Sequence, residues 1–302
     1  MLPVLFSIGT ISVSSFGMLL ALGFLVGVFL VWRLSRAWDL DEEKILDLTL
    51  LTFLGGLVGA RLYFVLENFS IFSQNLFGIL LINKLPGFSF WGAFLGGWLT
   101  LYFLSRRKKV DFWQAGDIAS VGFLGGLIFS SLGCFLGSCN IGIPSNLFLA
   151  VNMVGFLGKR FPVQLLEAIL LIWVLFRVWS AATHFHPRGK ILALSLIYIG
   201  VIKFLMEFLK QTRSEGVFLS LVMFILGLTI LYKVVKRNPI FDIKNVLLFP
   251  IKFATNIDHR NLVLAAIQKY WYNQKTSILW KIRNPKKILR RFNVRFSYKN
   301  NK

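Results

Sequence analysis

Long apolar runs separated by short charged loops divide most of the chain into seven segments. Their length and apolarity match those of helices that cross a lipid bilayer, and their alternation with charged loops is typical of polytopic membrane proteins. The pattern therefore predicts an all-α protein with seven transmembrane helices. The predicted spans are Phe16–Arg33, Ile45–Phe64, Phe90–Leu104, Asp117–Asn140, Pro162–Ala182, Ile191–Phe208 and Val217–Val234.

The fourth span, Asp117–Asn140, is predicted to be the central helix of the bundle. It begins at a carboxylate and ends at a thiol and an amide, so polar chemistry is expected at one of its ends. Small residues four apart let neighbouring helices approach backbone to backbone. The glycines of this span that have that spacing are Gly122, Gly126, Gly133 and Gly137.

The basic residues of the loops predict the orientation of the helices. One set of loops carries most of the basic side chains, including the run Arg106–Lys109, and the other set carries only scattered ones. Because basic loops stay on the cytoplasmic side, the N-terminus is predicted outside and the C-terminus in the cytoplasm. Residues 69–89 are too short and too broken for a crossing and are predicted to form an interfacial helix and loop.

Composition agrees with a membrane protein and separates a C-terminal tail. A hydrophobic content of 56% and a mean hydropathy of +0.68 exclude an ordinary soluble globular protein. Residues 236–302 contain sixteen Lys or Arg and two acidic residues, which is two thirds of the net charge of +21. We therefore predict a transmembrane domain over residues 1–235 and a basic amphipathic cytoplasmic tail over residues 236–302. An anionic membrane surface is favoured over nucleic acid as the partner of this tail.

Cys134 and Cys139, the two cysteines, show neither a Cys-x-x-Cys pattern nor a zinc-ligand spacing. Five residues apart, they do not share a helix face, and a disulfide would require the helix to end between them. They are predicted to be small buried thiols. No metal and no cofactor is expected.

Polar and ionisable side chains of several spans are predicted to lie at one depth, toward the outer leaflet. Such groups are costly inside a membrane and usually mark a functional site, although some only pair helices together. Convergence of at least four charges from three helices favours a site. The residues concerned are Arg61, Glu67, Trp91, Cys139, Asn140, Gln164, Glu167, Lys203, Glu207 and Lys210.

Six sequence blocks, in order, resemble the bacterial prolipoprotein diacylglyceryl transferases over roughly residues 3–235. They are VLFSIG with SFGMLLALGFLVG, GGLVGARLYFVLEN, PGFSFWGAFLGG, the stretch from Asp117 with its LGCFLGSC, RFPVQLLEA, and YIGVIKFLMEFLKQ. The resemblance implies a multi-pass protein of the bacterial cytoplasmic membrane. It further implies transfer of the diacylglyceryl group of phosphatidylglycerol to the cysteine thiol of a prolipoprotein, whose signal peptide is the second partner.

The resemblance also implies roles for individual residues. Catalysis is expected from Lys203, Glu207 and Ser131, with the cations stabilising the departing phosphate. Substrate binding is expected from Arg61, Trp91, Asp117, Asn140, Gln164, Glu167 and Lys210.

This chain departs from the family pattern at several of these positions. Ser131, Lys203 and Lys210 stand where the family carries arginines, and Trp91 stands where it carries a histidine. Lysine keeps the charge but lacks the bidentate fork of arginine, and serine supplies neither. Two hypotheses follow: a divergent transferase that uses the remaining cations, or a catalytically degenerate member that binds a lipid or a protein partner.

Overall fold

The computed structural model describes residues 4–8, 11–73, 87–211, 216–236, 253 and 256–283. These residues are mostly helical, so the prediction of an all-α fold is confirmed. The helices are α1 (Ser15–Ala37), α2 (Glu42–Glu67), α3 (Phe69–Phe72), α4 (Phe90–Arg107), α5 (Phe112–Leu136), α6 (Val163–Ala182), α7 (Lys190–Glu207), α8 (Gly216–Val235) and α9 (Ile257–Arg283). Two antiparallel strand pairs accompany them, β1 (Val4–Ile8) with β2 (Ile11–Ser14) and β3 (Val151–Asn152) with β4 (Lys159–Arg160).

Five of these helices, α1, α2, α5, α6 and α8, are long and apolar enough to cross a membrane. Helices α4 and α7 have 18 residues each, but charged residues lower their apolarity: two arginines end α4, and α7 contains Lys190, Lys203 and Glu207. Seven crossings and their orientation therefore stay predictions. Of the predicted interfacial segment, α3 forms a short helix, and residues 74–86 lie outside the described part of the chain.

Helix α5 is the central helix, as predicted. It packs against α1, α4, α6 and α7. Of the residues in its 18-residue apolar stretch, 61% are buried, compared with 22% for the corresponding stretch of α1. Its predicted bounds were wrong by a few residues at each end. The side chain of Asp111 accepts hydrogen bonds from the backbone N–H groups of Trp113 and Gln114 and starts the helix at Phe112.

Glycine pairs set the close packing of α2 on α4. A Cβ atom built at Gly59 would lie 2.5 Å from the carbonyl oxygen of Gly92, and one built at Gly96 would lie 2.5 Å from that of Gly55. No side chain fits at such distances, so these two helices meet backbone to backbone. This contact holds the start of α4 beside the end of α2.

The prediction of free cysteine thiols was wrong, because Cys134 and Cys139 form a disulfide. Helix α5 ends at Leu136, between the two cysteines, and the chain then turns back until their Cα atoms are 5.0 Å apart. The break in the helix brings together two side chains that a continuous helix would hold on different faces.

The chain divides into two compact units, Met1–Arg237 and Asn238–Lys302. Helix α9 belongs to the second unit, and apolar side chains such as Leu262, Trp271 and Tyr272 are exposed on it. Residues 284–302, with much of the predicted basic tail, lie outside the described residues. The assignment of the tail as a cytoplasmic domain stays a prediction.

Replacing Gly59 with alanine is expected to lower the free energy of unfolding by about 1–3 kcal/mol, because the new methyl group meets backbone atoms of α4 that cannot move aside. The matched control is Gly126→Ala in α5, where the nearest atom to the new Cβ is 3.8 Å away. There, stability should stay the same or rise slightly, since alanine favours the helix. Thermal unfolding in detergent measures both variants, and equal stability would contradict the close α2–α4 contact.

Candidate functional site

The C-terminal ends of α2, α5 and α7 meet the N-terminal ends of α4 and α6, and we call this region the charged end of the bundle. Backbone hydrogen bonds join its segments: Ser89 N–H to Ala60 O, Ile143 N–H to Leu209 O, Phe161 N–H to Ile143 O and Gln211 N–H to Ile141 O, all at 2.9–3.1 Å. A Cβ at Gly142 would overlap the carbonyl of Phe161, so only glycine allows this approach. Residues distant in sequence are thereby held together.

Lys203 forms the first charged pair of this end. Its Nζ lies 2.6 Å from Oε1 of Glu167, and the two side chains are 13% and 5% exposed. The contact is too poorly aligned to count as a hydrogen bond, so we describe it as an ion pair. The same ammonium group lies 4.1 Å from the centre of the Phe90 ring, where a cation–π interaction adds to its stabilisation. Helices α4, α6 and α7 therefore meet at Lys203.

Glu207 and Lys210 form the second pair. Lys210 Nζ donates a hydrogen bond of 2.6 Å to Oε2 of Glu207, and this carboxylate is almost fully buried. Gly216, the first residue of α8, borders the carboxylate closely enough that a Cβ there would lie 2.8 Å from it. Glycine at this position leaves room for the pair.

Gln164 links the start of α6 to the end of α5. Its Nε2 donates to the carbonyl oxygens of Cys139 and Asn140, the second at 3.1 Å. The Asn140 side chain donates to Sγ of Cys134 at 3.4 Å, so the amide contacts and the disulfide hold one turn. Within the described residues, the buried Oε1 of Gln164 has no hydrogen-bond partner. A substrate donor could satisfy it.

Arg61 and Trp91 flank the segment that leads into α4. Arg61 is buried, donates to the carbonyl oxygen of Gly87 at 3.1 Å and lies over the rings of Phe64 and Phe72. Trp91 is half-buried and packs edge-on against Phe90 at 4.9 Å. Trp91 therefore borders the aromatic ring that Lys203 contacts.

Arg160 was missed by the sequence reasoning, which counted it among scattered loop cations. It lies in β4, is 8% exposed, and donates from its guanidinium to Oε1 of Gln211 at 2.7 Å. Its buried Nε has no partner among the residues described, so one donor of a buried cation is open. The sequence signal was its place two residues before Pro162, at the start of a helix that carries Gln164 and Glu167.

Asp117 lies away from the charged end, and its predicted role in substrate binding stays a prediction. Near the other end of α5, its carboxylate accepts hydrogen bonds from the backbone N–H groups of Gly189 and Leu192, at 2.6 and 2.7 Å. These are free donors of the first turn of α7, so Asp117 acts as a helix cap from outside the helix. Ser131 is buried in α5, and its predicted catalytic role stays a prediction.

The charged end therefore contains two lysine–carboxylate pairs, a buried arginine with an open donor, and an amide with an open acceptor. Each ammonium group is held by a carboxylate, which a phosphate oxygen could replace as partner. The displaced carboxylate would then be a proton acceptor beside the bound anion. This combination suits a reaction in which a phosphate leaves as a proton is removed from a nucleophile.

Comparison with known proteins agrees with this chemistry. Residues 3–233 match the family model described as prolipoprotein diacylglyceryl transferase. Proteins named phosphatidylglycerol–prolipoprotein diacylglyceryl transferase are similar to this chain at 26% identity in Clostridium tetani, 28% in Geobacter sulfurreducens and 31% in Pseudoalteromonas atlantica. The alignments cover 76%, 78% and 78% of this chain and 96%, 96% and 90% of the relatives. The chain therefore belongs to the prolipoprotein diacylglyceryl transferase family.

Proposed function

We propose that this protein transfers the diacylglyceryl group of phosphatidylglycerol to the cysteine thiol of prolipoproteins. Family membership supports the reaction class, and the names of the relatives support these two substrates. The observation that carries the proposal is the pair of buried lysine–carboxylate contacts at the charged end. A scaffold that served only to hold helices together would gain more from apolar packing than from buried ion pairs.

The reaction forms a bond between sulfur and the glycerol carbon, and it breaks the bond between that carbon and the phosphate oxygen. Glycerol phosphate leaves with the electron pair of the broken bond, so negative charge grows on its oxygens. Lys203, Lys210 and the open Nε of Arg160 supply positive charge for that oxygen. Arg61, buried near Gly87, adds a further cation on the side of α4.

The thiol must lose its proton to become a nucleophile. When the phosphate takes the ammonium group of Lys210, Glu207 gives up that contact and becomes the acceptor for the thiol proton. Glu167 stands in the same relation to Lys203. Gln164 and Asn140 supply polar contacts for the peptide, and Phe90 with Trp91 borders the apolar part of the lipid.

We also propose that α4 and α7 cross the membrane, so that seven helices span the bacterial cytoplasmic membrane. At about 1.5 Å per residue, an 18-residue helix is roughly 27 Å long, close to the thickness of the apolar core. Both helices pack against helices that are long enough to cross. The loop charges support an orientation in which the charged end faces the outer surface, where exported prolipoproteins present their cysteine.

The basic tail is proposed to bind the anionic cytoplasmic leaflet. Helix α9 exposes Leu262, Trp271 and Tyr272 beside its basic residues, a combination that binds interfaces through apolar burial and charge together.

Converting the first ion pair to a neutral pair tests the catalytic proposal. Lys203→Gln together with Glu167→Gln should leave the thermal stability close to that of the wild type, because no charge remains buried without a partner. Transfer should fall by about 10²-fold, because a cation that stabilises the leaving phosphate is lost. The readout is the mass increase of a reporter lipoprotein in cells depleted of their own transferase.

The matched control is Lys108→Gln with Asp47→Asn, which removes an exposed ion pair at the other end of α2. That variant should transfer at the wild-type rate. Full activity of the Lys203→Gln/Glu167→Gln protein would reject the proposed site, and a wild-type protein that is well expressed but adds no mass would reject the enzyme.

Arg160→Gln is expected to lower transfer by about 10²-fold, since it removes the buried cation with an open donor. The transfer rate of Arg160→Lys should lie between those of the wild type and Arg160→Gln, because lysine keeps the positive charge but lacks the planar guanidinium with its several N–H donors. Gln211→Ala, which removes only the partner of the guanidinium, should cost much less. Steady-state kinetics of the purified proteins compare them, and equal losses in all three would indicate a structural role.

A peptide of residues 255–302 should bind vesicles that contain phosphatidylglycerol and fail to bind vesicles of phosphatidylcholine alone. Each basic residue near an anionic surface contributes roughly 1 kcal/mol, and salt screens this attraction. Sedimentation with vesicles at low and high salt measures it. Equal binding to both vesicle types would contradict the tail proposal.

A further inference from the structure

A cavity of about 390 Å³ lies far from the charged end, at the opposite ends of α6 and α7. Its walls are the last two turns of α6, the loop after them and the first half of α7. The polar and aromatic side chains that line it are Arg177, Ser180, His184, Phe185, Lys190 and Tyr198. None of these residues belongs to the proposed transfer site.

The cavity is positively charged. Within the described residues, no acidic side chain lines it and no carboxylate lies within 4.0 Å of Arg177 or Lys190. This differs from the charged end, where Lys203 and Lys210 each contact a carboxylate. Two basic groups on one cavity without an internal partner suit an anionic ligand with several oxygens, such as a phosphate group.

The cavity also opens beside an apolar face. Ile169, Ile172, Trp173 and Phe176 are exposed and recur at the spacing of one helix face, as lipid-facing residues do. The rings of Trp173 and Tyr198 pack edge-on, with 5.8 Å between their centres. The guanidinium of Arg177 lies 6.0 Å from the centre of the Trp173 ring. The basic group is therefore held at the edge of the surface that acyl chains cover.

The depth of the basic residues fits a lipid headgroup. Lys190 is the first residue of α7, and Arg177 lies five residues before the end of α6, about 7.5 Å along a helix. Long basic side chains at this depth extend toward the phosphate level of a bilayer.

We propose that this cavity binds the phosphate headgroup of an anionic phospholipid, in the leaflet opposite the one that borders the charged end. Arg177 and Lys190 hold the phosphate, and the groove along Trp173 and Phe176 takes an acyl chain. The site does not depend on the proposed transferase activity, and its ligand is bound without reaction.

Lipid binding to the full-length protein, delipidated in neutral detergent, tests this assignment by native mass spectrometry. Dioleoylphosphatidylglycerol or dioleoylphosphatidylcholine is added to the wild type, to Arg177→Gln/Lys190→Gln and to the control Arg107→Gln/Lys109→Gln, which removes two exposed charges elsewhere. The wild type and the control should bind one phosphatidylglycerol more than the cavity variant. Loss of two charged contacts should raise the lipid concentration needed for that binding by about tenfold or more.

Additional variants and ligands distinguish binding in the cavity from binding at the transfer site, and an anionic headgroup from other ligands. The charge-preserving Arg177→Lys/Lys190→Arg protein should keep the additional lipid. Adding Arg177→Gln/Lys190→Gln to Lys203→Gln/Glu167→Gln, whose transfer site is already altered, should remove one further phosphatidylglycerol. Equal lipid binding in the cavity variant and the control would overturn the proposal. Displacement of the lipid by millimolar inorganic phosphate, or equal binding of phosphatidylcholine, would overturn the assignment to an anionic headgroup.

Discussion

Ionised side chains inside an apolar helix bundle must be paired, and this constraint organises the charged end of the protein. Lys203 and Glu207 lie in the last turns of the same helix, and each finds an opposite charge within 2.6 Å. The partner of Lys203 comes from α6, and its other contact, Phe90, comes from α4. One ammonium group thus fixes the relative position of three helices. Removing either member of a pair would leave a buried charge, which costs several kcal/mol.

Close packing between helices is what brings these groups within reach. The backbone contact between α2 and α4 seats the start of α4, and with it Phe90, near the end of α7. Gly142 does the same for the loop after α5, because it lets the chain lie against Phe161 and continue toward Lys210. Helix α5 supplies the common wall for these contacts. Small residues therefore act at a distance from the chemistry, since they set where the charged side chains meet.

The apolar runs located the helices well, because a bilayer admits few alternatives to a continuous helix. The ends of the helices were harder to predict. Asp111 caps the start of α5, but it lies in a charged loop, and the pattern of apolar residues does not distinguish it from the other charged residues there. The disulfide depended on a helix end between Cys134 and Cys139 that the run of apolar residues concealed. Asp117 was singled out because it is charged within a span, but the sequence does not reveal that its hydrogen-bond partners are backbone groups at the start of α7. Arg160 was missed for the opposite reason: its burial comes from tertiary contacts of a loop.

The paired lysines bear on turnover as well as on stability in the proposed mechanism. A cation held without a partner would bind the phosphate strongly both before and after the reaction, and tight binding of the product slows its release. When a carboxylate competes for the same ammonium group, phosphate binding becomes an exchange of partners with a small net free energy. The carboxylate that is displaced accepts the thiol proton, and it regains its lysine once that proton has passed to the departing glycerol phosphate. The same two contacts then couple anion binding, proton removal and product release within one end of the bundle.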